Sequence, residues 1–235
     1  MVNHHKHKTH TNNHNNNTPL DNIEIPDTRY MSNKVMFINF ALLPLFLAAS
    51  FFICKFIYNE DYKKVDHPVI ENLTTKIFSQ TKFNSFESKL SFVLLSVALA
   101  SIFNLALTIL TVLARVITNA SSAMADKEPL LVNTLNRIIQ NNIEQGLVFF
   151  PLLAHFVFNI NVKNNTENNS LAAKYVIMFF VGRIVFIIGY LFSLLTKIIG
   201  LRVTGFGINM IVGFLLVIKY LGIKDLEFKV NAFLA

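Results

Sequence analysis

The chain has 235 residues, of which 53% are hydrophobic and only 15% are charged, and its mean hydropathy is +0.47. This composition is too apolar for an ordinary soluble domain of this length and predicts an integral membrane protein. The net charge of +7 does not indicate a nucleic-acid-binding protein, because the lysines and arginines are scattered between apolar runs and form no continuous basic stripe.

Residues 1–34 form a polar segment, rich in asparagine and histidine, that precedes the apolar part of the chain. Burial cannot offset the entropy of ordering such a segment, so we predict a disordered tail. The tail lacks the short apolar core of a cleaved signal peptide, which indicates that a retained helix targets the chain to the membrane. Metal binding by the tail histidines stays open as an alternative to a merely solvated tail.

Five apolar segments follow, each roughly 18 to 28 residues long and therefore able to cross a hydrocarbon core about 30 Å thick. Inside a bilayer each backbone polar group needs a partner within the protein, so these segments are predicted to be helices. The predicted fold class is all-α, a polytopic membrane protein. The segments cover residues 35–58, 90–117, 135–160, 175–199 and 205–221.

The long connection after the first segment divides the chain. Residues 35–58 are predicted to form one extra transmembrane helix, and residues 59–89 a charged loop. The other four segments form a four-helix transmembrane domain over residues 90–222, and residues 223–235 form a short C-terminal tail. The short connections between the four segments favour antiparallel neighbours in one bundle.

Polar side chains interrupt the third segment at a helical spacing. Arg137, Asn141 and Glu144 lie at positions i, i+4 and i+7, which places a cation, an amide and a carboxylate along one helical face. An ionisable side chain near the centre of a bilayer costs at least a few kcal/mol, so such positions are the first candidates for function. We expect the three side chains to point into the bundle together.

The fourth segment carries a second stripe, formed by Arg183, either Phe186 or Ile187, and Tyr190. If the two stripes face each other, they form a charged cleft. The alternative is a structural ion network of Arg137, Glu144 and Arg183 that holds the helices in register. Four glycines are predicted to be positions of close packing between helices: Gly182, Gly189, Gly207 and Gly213.

The sequons at Asn72, Asn164 and Asn168 fall on one side of a five-helix topology, opposite the N-terminal tail. We therefore predict a glycoprotein in which this side is lumenal. The tail and the connection at residues 119–134 are then cytosolic.

Two stretches resemble the MAPEG superfamily, the membrane-associated proteins of eicosanoid and glutathione metabolism. Residues 137–144, Arg-Ile-Ile-Gln-Asn-Asn-Ile-Glu, resemble its second-helix signature. Residues 182–190, Gly-Arg-Ile-Val-Phe-Ile-Ile-Gly-Tyr, look like its third-helix signature at the expected distance downstream. The resemblance covers residues 90–221, the family's four-helix unit. The extra first segment and the stretch Arg-Val-Thr-Gly-Phe-Gly at 202–207 look more like the mattrin branch of the superfamily than its eicosanoid enzymes.

The resemblance implies a homotrimer that binds glutathione between its subunits. The residues that match the family's binding positions are Arg137, Asn141, Glu144, Arg183 and Tyr190. Guanidinium groups can take the carboxylates of the tripeptide bidentately, while a carboxylate takes its α-amino group. The implied second substrate is an apolar electrophile.

Catalysis in the family requires a cation or a hydroxyl donor that lowers the pKa of the glutathione thiol. A position that is often tyrosine in the enzymes is Phe186 here, which has no hydrogen-bond donor. The activating cation is then Lys197 or Arg202, and Arg202 is predicted to lie in a glycine-bracketed turn. Two hypotheses stay open: a glutathione transferase or peroxidase, and a non-enzymatic, mattrin-like protein of the secretory or lysosomal membranes.

Overall fold

The computed structural model describes residues 33–58, 83–118, 129–160, 165–196 and 200–222, and within them the secondary structure is entirely helical. The five helices in these ranges are α1 (Asn33–Tyr58), α2 (Phe86–Ile117), α3 (Leu130–Phe158), α4 (Asn165–Thr196) and α5 (Gly200–Leu221). Nearly all of the predicted N-terminal tail, most of the charged loop and the C-terminal tail lie outside the described residues, as do Lys197, Asn72 and Asn164.

Four of the described helices are long and apolar enough to cross a membrane, over Met36–Ile57, Phe86–Ile117, Leu171–Thr196 and Arg202–Leu221. Helix α3 has 29 residues, which corresponds to about 43 Å at 1.5 Å per residue. It is therefore long enough, but Arg137, Glu144 and several amides lower its apolar content. The predicted fold class is confirmed: an all-α polytopic membrane bundle with one extra helix before the four-helix unit.

The ends of α2 and α3 show why neighbouring helices run antiparallel. Ser85 caps α2, because its Oγ accepts from the Ser88 backbone N at 3.2 Å while Ser88 Oγ accepts from the Ser85 N at 3.2 Å. One turn later, Lys89 Nζ donates to the carbonyls of Phe158 at 3.1 Å and Ile160 at 2.7 Å. The start of α2 is therefore tied to the end of α3, where carbonyl groups lack helical donors.

Several helices begin earlier than the sequence predicted, and two of these starts change the interpretation of a sequence feature. Helix α4 begins at Asn165, ten residues earlier than predicted, so Asn168 lies in its first turn. Helix α5 begins at Gly200, so the predicted turn around Arg202 is wrong. The stretch 202–207 is helical because its two glycines serve packing between helices and do not reverse the chain.

The extra helix α1 is docked on α5 by small and polar residues. Ser50 Oγ lies 2.9 Å from the carbonyl of Phe46 in its own helix and 2.9 Å from the carbonyl of Thr204 in α5. The Thr204 hydroxyl in turn donates to the Phe46 carbonyl at 3.3 Å. A Cβ at Gly207 would lie 2.6 Å from Ser50 Oγ, so this glycine permits the approach of the two helices. Helix α1 is thus an integral part of the described bundle.

Close contact also joins α4 to α5, the pair with the most extensive contacts in the described bundle. A Cβ at Gly182 would lie 2.8 Å from the side-chain amide of Asn209. The structure thus confirms the predicted packing role of Gly182, as it does that of Gly207. A Cβ at Gly213 would meet nothing within 4 Å, so the packing role predicted for Gly213 is wrong. That glycine lies on α5 beyond the reach of a neighbouring helix.

Candidate functional site

Arg183 lies near the middle of α4 and is only 1% exposed, which makes it the largest fully buried side chain in the described residues. Its Nη1 donates to Asn141 Oδ1 at 2.8 Å and to Asn142 Oδ1 at 3.3 Å. Successive helical residues point about 100° apart. The guanidinium of Arg183 therefore contacts two side chains, Asn141 and Asn142, that leave α3 in different directions.

The rest of the guanidinium of Arg183 is surrounded by aromatic rings. Its Cζ lies 5.0 Å from the ring centroid of Phe186 and 5.8 Å from that of Phe179, distances at which a cation is attracted to the face of a ring. Arg183 Nε and Nη2 are buried without a hydrogen-bond partner among the described residues. Phe186 is itself only 5% exposed, so a ring occupies the position that is often a tyrosine in the enzymes.

The structure separates the members of the predicted α3 stripe. Arg137 and Glu144 are exposed, and both bond to amides of their own helix. Arg137 Nε donates to Asn133 Oδ1 at 3.2 Å, and Gln140 Nε2 donates to Glu144 Oε1 at 3.0 Å. The expectation that Arg137, Asn141 and Glu144 all point into the bundle of one chain is therefore wrong. Only Asn141, at the edge of the stripe, reaches Arg183.

The alternative prediction was a structural ion network of Arg137, Glu144 and Arg183, and the described contacts of Arg183 differ from it. The oxygens that Arg183 Nη1 contacts belong to amides of α3, and the carboxylate of Glu144 lies on the exposed face of that helix. An amide compensates a buried cation less than a carboxylate does, because it carries no net charge. The described polar cluster is therefore a solvent-shielded cation with neutral partners.

Tyr190 and Arg202 meet near the junction of α4 and α5. The Cζ of Arg202 lies 5.2 Å from the ring centroid of Tyr190, and Tyr190 lies 5.5 Å from the ring of Phe186. Both Tyr190 and Arg202 are partly exposed. Of the two cations that the sequence offers for thiol activation, Arg202 is thus beside the predicted binding tyrosine, while Lys197 lies outside the described residues.

Sequence reasoning did not select Asn142, which is 4% exposed and accepts a hydrogen bond from Arg183. Its neighbour Asn141 fitted the i, i+4, i+7 pattern of the stripe, whereas Asn142 points to another face. A buried amide in a membrane helix was the available signal. Asn104 in α2 gave the same signal, and its Oδ1 is buried without a hydrogen-bond partner among the described residues.

A cavity of about 350 Å³ lies between α2, α3 and α4. Asn104, Asn142 and Arg183 line it together, although they come from three different helices. Apart from Ser101, the remaining lining is apolar and consists of Val97, Ala100, Phe103, Ile143, Gly146, Leu147, Phe150, Pro151, Phe179 and Phe180. Among the described residues, no three His, Cys, Asp or Glu side chains gather as metal ligands would.

A comparison with known protein families matches residues 93–222 to the MAPEG family. The matched region is slightly more than half of the chain, and it contains Asn104, the α3 stripe, Arg183, Tyr190 and Arg202. The chain belongs to the MAPEG family. No curated protein and no solved structure matches it.

Helix α1 lies outside the MAPEG match, which begins within α2 and ends just after α5. The match identifies the family without separating its branches. All the candidate binding residues of the chain therefore lie in its MAPEG region, and α1 is an addition that packs mainly on α5.

Proposed function

We propose that this MAPEG-family membrane protein binds glutathione at the exposed polar stripe of α3. The observation that carries the proposal is the position of that stripe. Arg137 and Glu144 of the stripe, with Gln140 between them, are exposed in the first half of α3, and the neighbouring helices are long and apolar enough to cross a bilayer. Charged groups facing hydrocarbon are costly, so this surface requires a polar occupant.

Glutathione fits the chemistry of this surface. The guanidinium of Arg137 is suited to one of the tripeptide's carboxylates, and the carboxylate of Glu144 to its α-amino group. Asn141 borders the stripe and is held by Arg183, so its orientation is already defined before a ligand arrives. Tyr190 on α4, with Arg202 of α5 over its ring, offers a phenol and a cation to the same ligand in this proposal.

The occupied surface is proposed to lie between subunits. Large apolar side chains flank the stripe, with Leu147 71% exposed and Val148 59% exposed. A second copy of the chain would cover both the apolar and the polar part of this face. The family resemblance favours a homotrimer in a multi-pass endomembrane setting, with glutathione in the cleft between copies.

Two activities are compatible with such a site. Arg202 beside Tyr190 favours a transferase or peroxidase, because a cation near the thiol stabilises the thiolate. Phe186 favours the alternative, a non-enzymatic mattrin-like protein of the secretory or lysosomal membranes. Its ring is buried between Arg183 and Tyr190 and has no hydroxyl to donate.

The test is thermal stability and direct binding of the purified chain in mild detergent, with millimolar glutathione. Glu144→Gln removes the charge that would meet the α-amino group and keeps the shape of the side chain. We expect it to weaken binding by about 2 kcal/mol, roughly thirtyfold, near the lower end of the range for one side of a charged pair. Glu87→Gln is the matched control, because Glu87 is also exposed but lies in the first turn of α2.

The absence of any ligand-dependent stabilisation of the wild-type protein would remove the glutathione proposal and leave the non-enzymatic alternative. Native mass spectrometry addresses the cleft between subunits. A trimer is expected, and a strictly monomeric species that still binds glutathione would contradict an intersubunit cleft.

A further inference from the structure

The cavity between α2, α3 and α4 has unused hydrogen-bonding groups of both kinds. Arg183 Nε and Nη2, and Asn142 Nδ2, are donors without a hydrogen-bond partner among the described residues. Asn104 Oδ1 is an acceptor that also has no hydrogen-bond partner among the described residues. All three side chains line the cavity, and Arg183 and Asn142 are at most 4% exposed. Buried polar groups are rarely left unsatisfied, so this combination indicates an absent polar partner.

Of these groups, the guanidinium has the largest free-energy cost of burial, because it carries a charge. Taking a cation out of water costs several kcal/mol unless it is paired, and amides and aromatic rings compensate only part of that cost. The N–H groups of an arginine form a rigid, planar fork that matches a carboxylate with two parallel hydrogen bonds. Because Nη1 of Arg183 is occupied by Asn141 and Asn142, the edge formed by Nε and Nη2 is the part of the guanidinium that lacks an acceptor among the described residues.

The acceptor Asn104 Oδ1 requires a donor, which a carboxylate lacks. A second acceptor lies at the rim, because Pro151 has no N–H and leaves the carbonyl of Leu147 without its usual helical donor. The head group that fits the cavity thus needs a hydrogen-bond donor in addition to its anionic acceptor.

The cavity opens towards the outer surface of α2 and α3. Ser101, Ile143 and Leu147 line it and are also exposed. Its volume of about 350 Å³ lies near the lower end of small-molecule sites, which span roughly 300–1,000 Å³. This partly open space therefore accommodates a head group and the first part of a chain, and the rest of an apolar chain passes out between α2 and α3.

We propose that this cavity binds a single-chain amphiphile whose head group combines a carboxylate with a hydrogen-bond donor, as an N-acyl amino acid does. The carboxylate binds the free edge of Arg183, the amide N–H donates to Asn104, and the acyl chain lies against the phenylalanines and continues into the bilayer. The site is formed within one chain. It does not depend on glutathione binding at the exposed stripe of α3, although Leu147 borders both surfaces.

The experiment is photo-crosslinking of the full chain in lipid nanodiscs without glutathione. The probe is an N-acylglycine with a diazirine in its acyl chain, and mass spectrometry locates the label. Competitors are N-oleoylglycine, oleate, which lacks the donor, and oleamide, which lacks the charge. We expect label on α2 and α3 around the cavity, and displacement by N-oleoylglycine at about tenfold lower concentration than by either comparator, equal to about 1.4 kcal/mol.

Two matched variants separate the cavity from the lipid-facing surface. Ala100 lines the cavity, so Ala100→Phe fills it and should abolish labelling. Ala106 is exposed on the same helix and does not line the cavity, so Ala106→Phe should label like the wild type. Equal labelling of both variants would show that the probe binds the outer surface, and it would overturn the proposal.

Asn104→Leu tests the head group. It removes the acceptor at nearly constant volume, so the preference for N-oleoylglycine over oleate should fall from about tenfold to less than about threefold. The ligand-free melting temperature should not fall, because no structural partner is lost. A retained preference, or a clear loss of ligand-free stability, would refute the role of Asn104. Loss of glutathione binding in the wild type would not affect these outcomes.

Discussion

Replacing Gly205 by alanine tests the close contact between α4 and α5 that brings Arg202 to Tyr190. A Cβ at Gly205 would overlap the backbone nitrogen of Phe186 and would lie 2.6 Å from the carbonyl oxygen of Gly182. Ordinary carbon contacts are about 3.5–4.0 Å, so the two helices must separate by roughly 1 Å. Backbone atoms form this contact, so no side-chain rotation can relieve it.

The magnitude follows from comparison with Gly213→Ala in the same helix. Both variants gain the same helical preference of alanine, about 0.5–1 kcal/mol. Only Gly205→Ala meets a neighbour, because Gly213 has open space around its missing Cβ. Overpacking of this kind costs about 1–3 kcal/mol. We therefore expect the free energy of unfolding of Gly205→Ala to lie about 1–3 kcal/mol below that of Gly213→Ala.

The assay is equilibrium unfolding in mixed micelles, followed by circular dichroism with wild type and both variants side by side. The variants share composition and helix, so detergent and helix propensity affect them equally. Equal unfolding free energies would refute the tight α4–α5 contact and the placement of Arg202 that depends on it. A Gly213→Ala variant that is less stable than Gly205→Ala would do the same.

Three further predictions concern docking of α1, chemistry and topology. Ser50→Ala removes the hydrogen bond to the Thr204 carbonyl and should lower the free energy of unfolding by about 0.5–1.5 kcal/mol. Thr108→Ala is the control and should be close to neutral, because the Thr108 hydroxyl is exposed and bonds within its own helix. Equal effects of the two variants would argue against the hydrogen bond between α1 and α5. Phe186→Tyr adds a phenol beside Arg183 and should raise the rate of glutathione conjugation to an aryl halide at least tenfold. This increase is smaller than the rate enhancement of about 10²–10⁴ that is typical of a positioned acid or base. An unchanged rate would show that more than this hydroxyl is missing. Mutation of Asn72, Asn164 and Asn168 should abolish the glycosidase-sensitive mass, and an N-terminal tail protected from protease in intact microsomes would contradict the predicted orientation.

The sequence alone predicted the fold class because the requirement to cross a bilayer is a matter of length and apolar content. In hydrocarbon, an apolar segment satisfies its own backbone polar groups by forming a helix. The position of polar residues along those helices was also readable. Arg183 lies near the middle of its predicted span, and the MAPEG match confirms the family that residues 137–144 and 182–190 resembled.

The direction in which polar side chains point was decided by tertiary packing. The 3.6-residue period placed Arg137, Asn141 and Glu144 on one face, but it does not say whether that face meets another helix or the surroundings. Only the edge of the stripe contacts α4. Arg183 therefore donates hydrogen bonds to Asn141 and the adjacent Asn142, whereas Glu144 is exposed. The turn predicted around Arg202 is likewise part of helix α5, in which Gly205 and Gly207 make close contacts with α4 and α1.

The cavity belongs to the same class of features. Asn104, Asn142 and Arg183 are far apart in the chain, and nothing in the local pattern of α2 indicates that its amide lines the same cavity as a guanidinium of α4. Local sequence determines which residues form a helix and what chemistry they carry. Glycines, phenylalanines and small polar residues together set the register and rotation of each helix against its neighbours. That packing decides which of these side chains line one cavity.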